Sequence, residues 1–321
     1  MRNTPLLERR GLIVRPGLLG DGWSSHCQMP TPYRLNRATL RIFFCSRDMR
    51  NQSNVFWVDV EPEPPFTVKR VATRPCLTPG VLGAFDASGV MPTATVDRDG
   101  ELWMYYIGWT VRADVPYHNA IGVARSQDGG ETFERFLPGP ILGAGPFEPY
   151  FCGTGELGRI DGQWVMWYMS ATGWRVVNGK PEPRYHLKQA WSEDGIIWKQ
   201  DGSIAVDYAS DDEGGVARAT VLKRADGYHM WFCHRGIANY RGHGANAYRI
   251  GRAVSLDGRS WKRLTEEPAF AAPPQTDDFD ESMECYPAVY ENAGNTYIFY
   301  NGSDFGQTGI GYATLMEGTV A

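Results

Sequence analysis

The chain of 321 residues predicts an all-β fold, a five-bladed β-propeller with four antiparallel strands in each blade. Three observations carry this expectation. One phrase recurs five times at a spacing of about 62–67 residues: an apolar strand, a tight turn, then an aromatic-rich strand ending in small or polar residues. Three repeats carry a second echo, Ser-x-Asp-Gly followed by Phe or Trp. Five periods of four strands use almost the whole length, whereas four would strand about 60 residues and six or seven do not fit.

The elements justify themselves in order. The second strands are Leu40–Ser46, Leu102–Gly108, Trp164–Ser170, Tyr228–His234 and Tyr297–Gly302, preceded by turns at Asn36-Arg37, Asp99-Gly100, Asp161-Gly162, Asp226-Gly227 and Ala293-Gly294. The outer hairpins close at Ser126-Gln127-Asp128-Gly129, Ser192-Glu193-Asp194-Gly195 and Ser255-Leu256-Asp257-Gly258. An Asp-Gly pair supplies the positive φ that a tight hairpin needs, so these loops read as turn chemistry rather than calcium or glycan sites. The fifth repeat, through Gly309-Ile310-Gly311-Tyr312-Ala313, runs out of chain before an outer strand appears. An N-terminal segment such as Leu12-Ile13-Val14 is therefore expected to close the ring, since an open sheet edge is a liability. With no composition shift or Ser/Gly linker, residues 1–321 read as one domain.

Composition excludes several function classes. The net charge is −5 and no Lys/Arg block stands out, which argues against nucleic acid and anionic membranes as partners. No charged start leads into an apolar run of signal-peptide length and no stretch is long enough to span a bilayer, so a cytoplasmic location is expected. Cys27, Cys45, Cys76, Cys152, Cys233 and Cys285 lack CxxC spacing and read as buried free thiols. Neither a metal nor a cofactor is expected.

In a propeller the first strand of a blade starts, and the second ends, on the same face, so functional side chains are sought at those positions. Before first strands stand His26-Cys27-Gln28, Phe85-Asp86, Phe147-Glu148-Pro149, Asp211-Asp212-Glu213 and Asp280-Glu281-Ser282-Met283-Glu284-Cys285-Tyr286. After second strands stand Arg47-Asp48, Trp109, Trp174-Arg175, His234-Arg235 and Asn301-Gly302-Ser303-Asp304. Indole faces for sugar C–H surfaces, with carboxylates and guanidinium groups for hydroxyls, suit a small-molecule carbohydrate pocket. Asp86, Glu148 and Glu213, at the same point of their blades, are expected to share one cavity as the catalytic groups. His26, Gln28, Asp48, Trp109, Trp174, Arg235, Glu284 and Tyr286 are the substrate-binding candidates. From His234 to Leu256 there is no Asp or Glu, while His234, Arg235, Arg241, His243, Arg249 and Arg252 accumulate. A guanidinium fork there suits phosphate, a uronic acid or a sugar phosphate.

These features resemble the five-bladed glycoside hydrolase clan of arabinanases, β-xylosidases, invertases and levansucrases, and the related mannoside phosphorylases. The phrases His26-x-Gln28-x-Pro30-Thr31-Pro32, Phe85-Asp86-x-Ser88-Gly89-Val90-Met91-Pro92, Tyr105-Tyr106-Ile107-Gly108-Trp109 and Cys285-Tyr286-Pro287 resemble a subgroup of small, uncharacterised glycosidase-like proteins associated with surface-polysaccharide genes. The resemblance implies a carboxylate at the start of blades one and three and a general-acid Glu at the start of blade four. By position these are Glu148 in blade three and Glu213 in blade four. Blade one departs from the pattern, because His26-Cys27-Gln28 occupies the place of the Asp.

Glycoside hydrolysis generally uses two carboxyl groups, so Asp86 or Asp48 would have to replace the missing base. The leading expectation is a glycosidase with Glu213 as acid, tuned by Glu148. Phosphorolysis or transglycosylation, with phosphate or a sugar as the attacking group, and a sugar-binding propeller without catalysis both stay open.

Overall fold

In a computed structural model, which describes residues 5–20, 22, 23 and 25–316, the regular secondary structure is almost entirely β-strand. After strand β1 (Leu7–Val14), the strands succeed one another as antiparallel meanders. The first holds β2 (Gln28–Asn36), β3 (Thr39–Arg47), β4 (Ser53–Val60) and β5 (Val68–Val71). The second holds β6 (Gly89–Arg98), β7 (Glu101–Thr110), β8 (His118–Ser126) and β9 (Glu134–Arg135). The third holds β10 (Cys152–Ile160), β11 (Gln163–Val177), β12 (Lys180–Ser192) and β13 (Lys199–Val206). The fourth holds β14 (Glu213–Arg224), β15 (Gly227–Gly236), β16 (Arg249–Ser255) and β17 (Lys262–Arg263). The last holds β18 (Cys285–Asn292), β19 (Asn295–Asn301) and β20 (Ile310–Leu315).

Hydrogen bonding groups these strands into one four-stranded and two eight-stranded sheets. Each larger sheet narrows to one parallel residue pair, Ser53 with Gly89 in one and Tyr185 with Gly215 in the other. The four-stranded sheet is completed by the N-terminal strand: β1 pairs antiparallel with β20 from Leu7 opposite Leu315 to Val14 opposite Ile310. The segment Leu12-Ile13-Val14 thus covers the edge it was expected to cover.

Turn chemistry explains the hairpins. Asp99-Gly100, Asp161-Gly162 and Ala293-Gly294 have positive φ at both residues, the backbone of the turns that match strand twist. In the Ser-x-Asp-Gly loops the serine hydroxyl accepts the N–H of Gly130, Gly195 or Gly258 at 2.8 Å. Trp198 and Trp261 each donate an indole N–H back to the loop glycine, at 3.1 and 3.2 Å.

The aromatic second strands bury the seams between meanders. Trp103 and Tyr105 of the second pack with Cys152, Met166 and Tyr168 of the third. Val165 and Trp167 pack with Val216, Met230 and Phe232 of the fourth, while Leu222 and Trp231 join Ile298, Tyr300 and the N-terminal Leu7. Phe299 and Tyr312 of the last join Phe43, Phe44 and Leu40 of the first, which share their cluster with Leu102, Met104 and Tyr106 of the second. All six cysteines are buried and unpaired. Burial pushes the thiol of Cys45 up to about 12, as expected of inert core thiols.

One buried cation ties several meanders together. Arg218 on β14 donates to the Pro30 carbonyl at 2.9 Å, to the Thr31 hydroxyl at 3.2 Å and to the Thr93 carbonyl. Its backbone N–H reaches the Thr154 hydroxyl at 3.2 Å. Among the groups around it is the partly buried carboxyl of Glu156, which it attracts electrostatically.

Candidate functional site

A cavity of about 680 Å³ is walled by residues from every meander, among them Gln28, Trp109, Thr154, Tyr248 and Tyr286. Most of its builders are the starts of first strands and the ends of second strands with the loops that follow them, joined by Asn119 and Tyr185 from third strands. Trp109 ends β7 and is held by an indole N–H bond to the Ser53 hydroxyl at 2.7 Å. A Cβ on Gly89 would lie 2.2 Å from that indole nitrogen, so only glycine lets the ring settle there.

The cavity is cationic on two sides. The end of β3 brings Arg47, the loop after it Arg50, and the loop after β15 brings Arg241. Arg47 donates to the Asn51 side chain at 2.9 Å while its buried Nε has no protein acceptor. Arg241 pairs with Glu182, which also accepts the Tyr240 hydroxyl at 2.7 Å. His26 is held by the Ser25 hydroxyl at 2.8 Å. Burial, reinforced by Arg47, lowers its imidazole to about 4, so it stays neutral in neutral solution. Among the described residues no Asp or Glu lines this cavity.

The sequence candidates separate accordingly. His26, Gln28, Trp109 and Tyr286 line the cavity. Asp86, Glu148 and Glu213 do not, which corrects the expectation that they converge on one pocket. Asp86 is fully buried and accepts from the Tyr106 hydroxyl at 3.1 Å and Arg135 Nε at 2.8 Å. Glu148, equally buried, accepts from the Tyr168 hydroxyl at 2.7 Å, from Lys188 at 3.2 Å and from the Ser170 hydroxyl. Asp280 repeats the pattern with the Tyr300 hydroxyl at 2.9 Å and Arg9 at 2.8 Å. A carboxylate before the first strand, a phenol on the second strand and a cation from the third strand or from an outermost strand thus form a recurring lock.

Glu213 is the same lock with His234 as the partner on the second strand. Arg263 grips it bidentately at 2.6 and 2.7 Å, His234 approaches at 3.0 Å, and the Ala209 N–H donates at 2.7 Å. Burial opposes ionisation, but the His234 and Arg263 hydrogen bonds and the Arg263 charge prevail and hold the carboxyl at about 2. A group ionised so firmly has no proton to give at neutral pH, which removes the physical basis for Glu213 as general acid.

The remaining candidates have other duties. Asp48 caps its own turn, accepting the N–H groups of Arg50 and Gln52 at 2.9 Å. Trp174 packs edgewise on Tyr117 and at a tilt on Phe151 and is not among the cavity-lining residues. Glu284 is buried against Arg9 and lies, with Glu213 and Arg235, on a second cavity of about 810 Å³ between β1 and the fourth meander. Arg235 is fully buried, its guanidinium spent on the Tyr185 and Tyr248 hydroxyls and the Gly236 and Pro183 carbonyls. It is therefore no free anion clamp.

Sequence reasoning passed over Arg50, Tyr185, Tyr240 and Tyr248, all on the wall. The clue was the loop Arg47-Asp48-Met49-Arg50-Asn51-Gln52, whose single acid is in Asx-turn spacing to later backbone N–H groups, leaving its two arginines without a local acid to pair with.

No protein-family model matches the chain. The uncharacterized protein Rv1502 of Mycobacterium tuberculosis (strain ATCC 25618 / H37Rv) is 32% identical over 305 residues, covering 95% of this chain and 97% of its own. A solved glycoside hydrolase superposes with a TM-score of 0.73 at 18% identity, covering 99% of this chain and 94% of its own. A structure described under "The GH130 family of mannoside phosphorylases contains glycoside hydrolases that target beta-1,2 mannosidic linkages in Candida mannan" superposes with a TM-score of 0.69 at 17% identity, covering 97% and 94%. At these identities the structural likeness is one of fold.

Proposed function

We propose, for a chain that belongs to the family of that uncharacterized mycobacterial protein and carries the glycoside hydrolase fold, that the central cavity binds a carbohydrate through a negatively charged group. The architecture we attach to this reading is a ring of five four-stranded blades. Two observations support it: the single-pair waists that divide the larger sheets, and the chain of apolar seams that runs from the first meander through the last and back. In such a ring the cavity lies where all blades meet, the usual place for a propeller ligand.

The observation that carries the reading is the composition of the wall: Arg47, Arg50 and Arg241 beside Trp109 and several tyrosines, with no carboxylate among the described residues. Guanidinium forks match phosphate and carboxylate in two-point fashion, and aromatic faces accept sugar rings. A wall without a carboxylate pair does not support hydrolysis by paired acid and base. Glycosidic bond cleavage in this cavity would instead use an anion already held there: dihydrogen phosphate attacks the anomeric carbon, the glycosidic C–O bond breaks, and the departing oxygen takes a proton from the phosphate and leaves as a hydroxyl.

Calorimetric titration with glucuronate, glucose 6-phosphate, inorganic phosphate and glucose tests the reading. The anions are expected to bind at least tenfold more tightly than glucose, with affinity falling as salt is raised. Arg47→Ala and Arg50→Ala should each weaken anion binding by roughly 10- to 100-fold, the worth of a hydrogen bond to a charged group. Equal binding of glucose and the anions, or arginine variants that bind like the parent, would overturn it. Incubating oligosaccharides with and without phosphate then reads the chemistry, a sugar 1-phosphate being the expected product.

A further inference from the structure

Tyr185 on β12 and Tyr248, just before β16, meet at the cavity wall over the buried Arg235. Tyr185 reaches this place because its ring lies flat against Gly215, where a Cβ would be 2.3 Å away. The two hydroxyl oxygens are hydrogen-bonded to each other. Arg235 Nε–H points at both, 2.8 Å from Tyr185 and 3.3 Å from Tyr248. The rest of the guanidinium is fixed by the Pro183 and Gly236 carbonyls, each at 2.8 Å, and by the Tyr240 ring, whose centroid lies 3.7 Å away.

Counting protons gives the consequence. Two phenols carry two O–H hydrogens, and one of these is used in the bond between them. Arg235 donates and cannot accept, so neither phenol can give it a proton. Among the described residues no other protein acceptor faces either oxygen. One O–H is left over, on two residues that line the cavity, and the neighbouring positive charge strengthens it as a donor.

We propose that Tyr185 and Tyr248, held by Arg235, form a donor that selects an acceptor oxygen of the bound ligand, namely a carboxylate or phosphate oxygen, over a ligand group that must itself donate. This rests on the anionic-ligand reading above. Tyr185 and Tyr248 are the contacting groups, and Arg235 is a positioning residue that acts through them. It gives the sequence-predicted Arg235 a part in anion recognition without direct contact.

Titrating the parent protein and the double variant Tyr185→Phe/Tyr248→Phe with glucuronate, inorganic phosphate and glucose tests the assignment, because either single variant still keeps one O–H without a protein acceptor. The double variant is expected to lose roughly five- to twentyfold in affinity for the two anions while glucose binding stays put, so that the ratio of anion to glucose affinity falls. A merely structural role would lower the melting temperature and leave that ratio unchanged, and this outcome overturns the proposal. Arg235→Lys, which keeps the charge but cannot span both phenols, should lower the ratio as the double variant does. If Arg235→Lys fails to fold, the double variant decides alone. Should the parent bind the anions and the double variant bind them equally well, the donor assignment falls and the anionic site stands. Should the parent bind none of the anions, both fall together.

Discussion

Glu213→Gln is expected to unfold at a markedly lower denaturant concentration than the parent at neutral pH, with a loss of about 3 kcal/mol. The figure follows from the drop of this carboxyl from its ordinary 4.5 to about 2 in the folded chain. It matches the usual cost of removing one partner from a buried ion pair. The amide keeps the shape but leaves Arg263 buried beside a neutral group, and one amide end must turn an N–H toward Arg263 or Ala209 N–H, both donors. The sign with pH follows directly. A carboxyl whose folded value lies below its unfolded value stabilises above about 4.5, and that stability is lost as pH falls through about 2. Chemical denaturation at pH 7 and at pH 2.5 checks this, the gap between parent and variant closing at the lower pH. A variant as stable as the parent at pH 7 would refute the structural role given to Glu213.

The same residue shows how far the sequence could be read. Periodicity exposed the strands and turns because a repeated fold leaves a repeated mark: Asp99-Gly100 and Asp161-Gly162 occupy equivalent turns, and Leu12-Ile13-Val14 lies in N-terminal sequence outside the repeats, free to pair with the open edge. Asp86, Glu148 and Glu213 repeat for the same reason, and repetition by itself does not separate a catalytic group from a lock. The distinguishing signal lay in their partners. Tyr106, Tyr168 and Tyr300 hold one position of the second strand, and each donates to the carboxylate of its own meander. The cations Arg135, Arg263 and Arg9 come from outermost strands and Lys188 from a third strand, up to 271 residues away, and no local pattern ties them to their acids. The cavity wall was legible where first strands begin, at His26, Gln28 and Tyr286, and illegible where it is built by Tyr185, which reaches it from a third strand.

The largest effect is expected at Arg218, where the sequence offered no hint because its partners come from three other meanders. Arg218→Met keeps much of the apolar volume but strips the donors from the Pro30 and Thr93 carbonyls and the Thr31 hydroxyl, all buried. It also removes the charge that offsets the burial of Glu156. An uncompensated buried group of this kind costs about 3–5 kcal/mol, with unpaired carbonyls adding to it. Glu156 makes the loss depend on pH. Burial lifts its carboxyl to about 7 despite Arg218 and the Val221 and Thr220 hydrogen bonds. A carboxyl raised above its unfolded value favours folding most below about 4.5, and that advantage disappears as pH rises through about 7. The parent should therefore lose up to about 3 kcal/mol between pH 5 and pH 8 from this group alone, and Glu156→Gln should flatten that stretch of the profile. Arg218→Met, with no counter-charge, should steepen it and shift it upward in pH. Combining the two substitutions tests the coupling: the double variant is expected to recover part of what Arg218→Met loses at pH 8, because the amide needs no cation. Thermal melts of the four proteins from pH 5 to pH 8 measure this, and strictly additive losses at pH 8 would show that Arg218 acts through its hydrogen bonds alone.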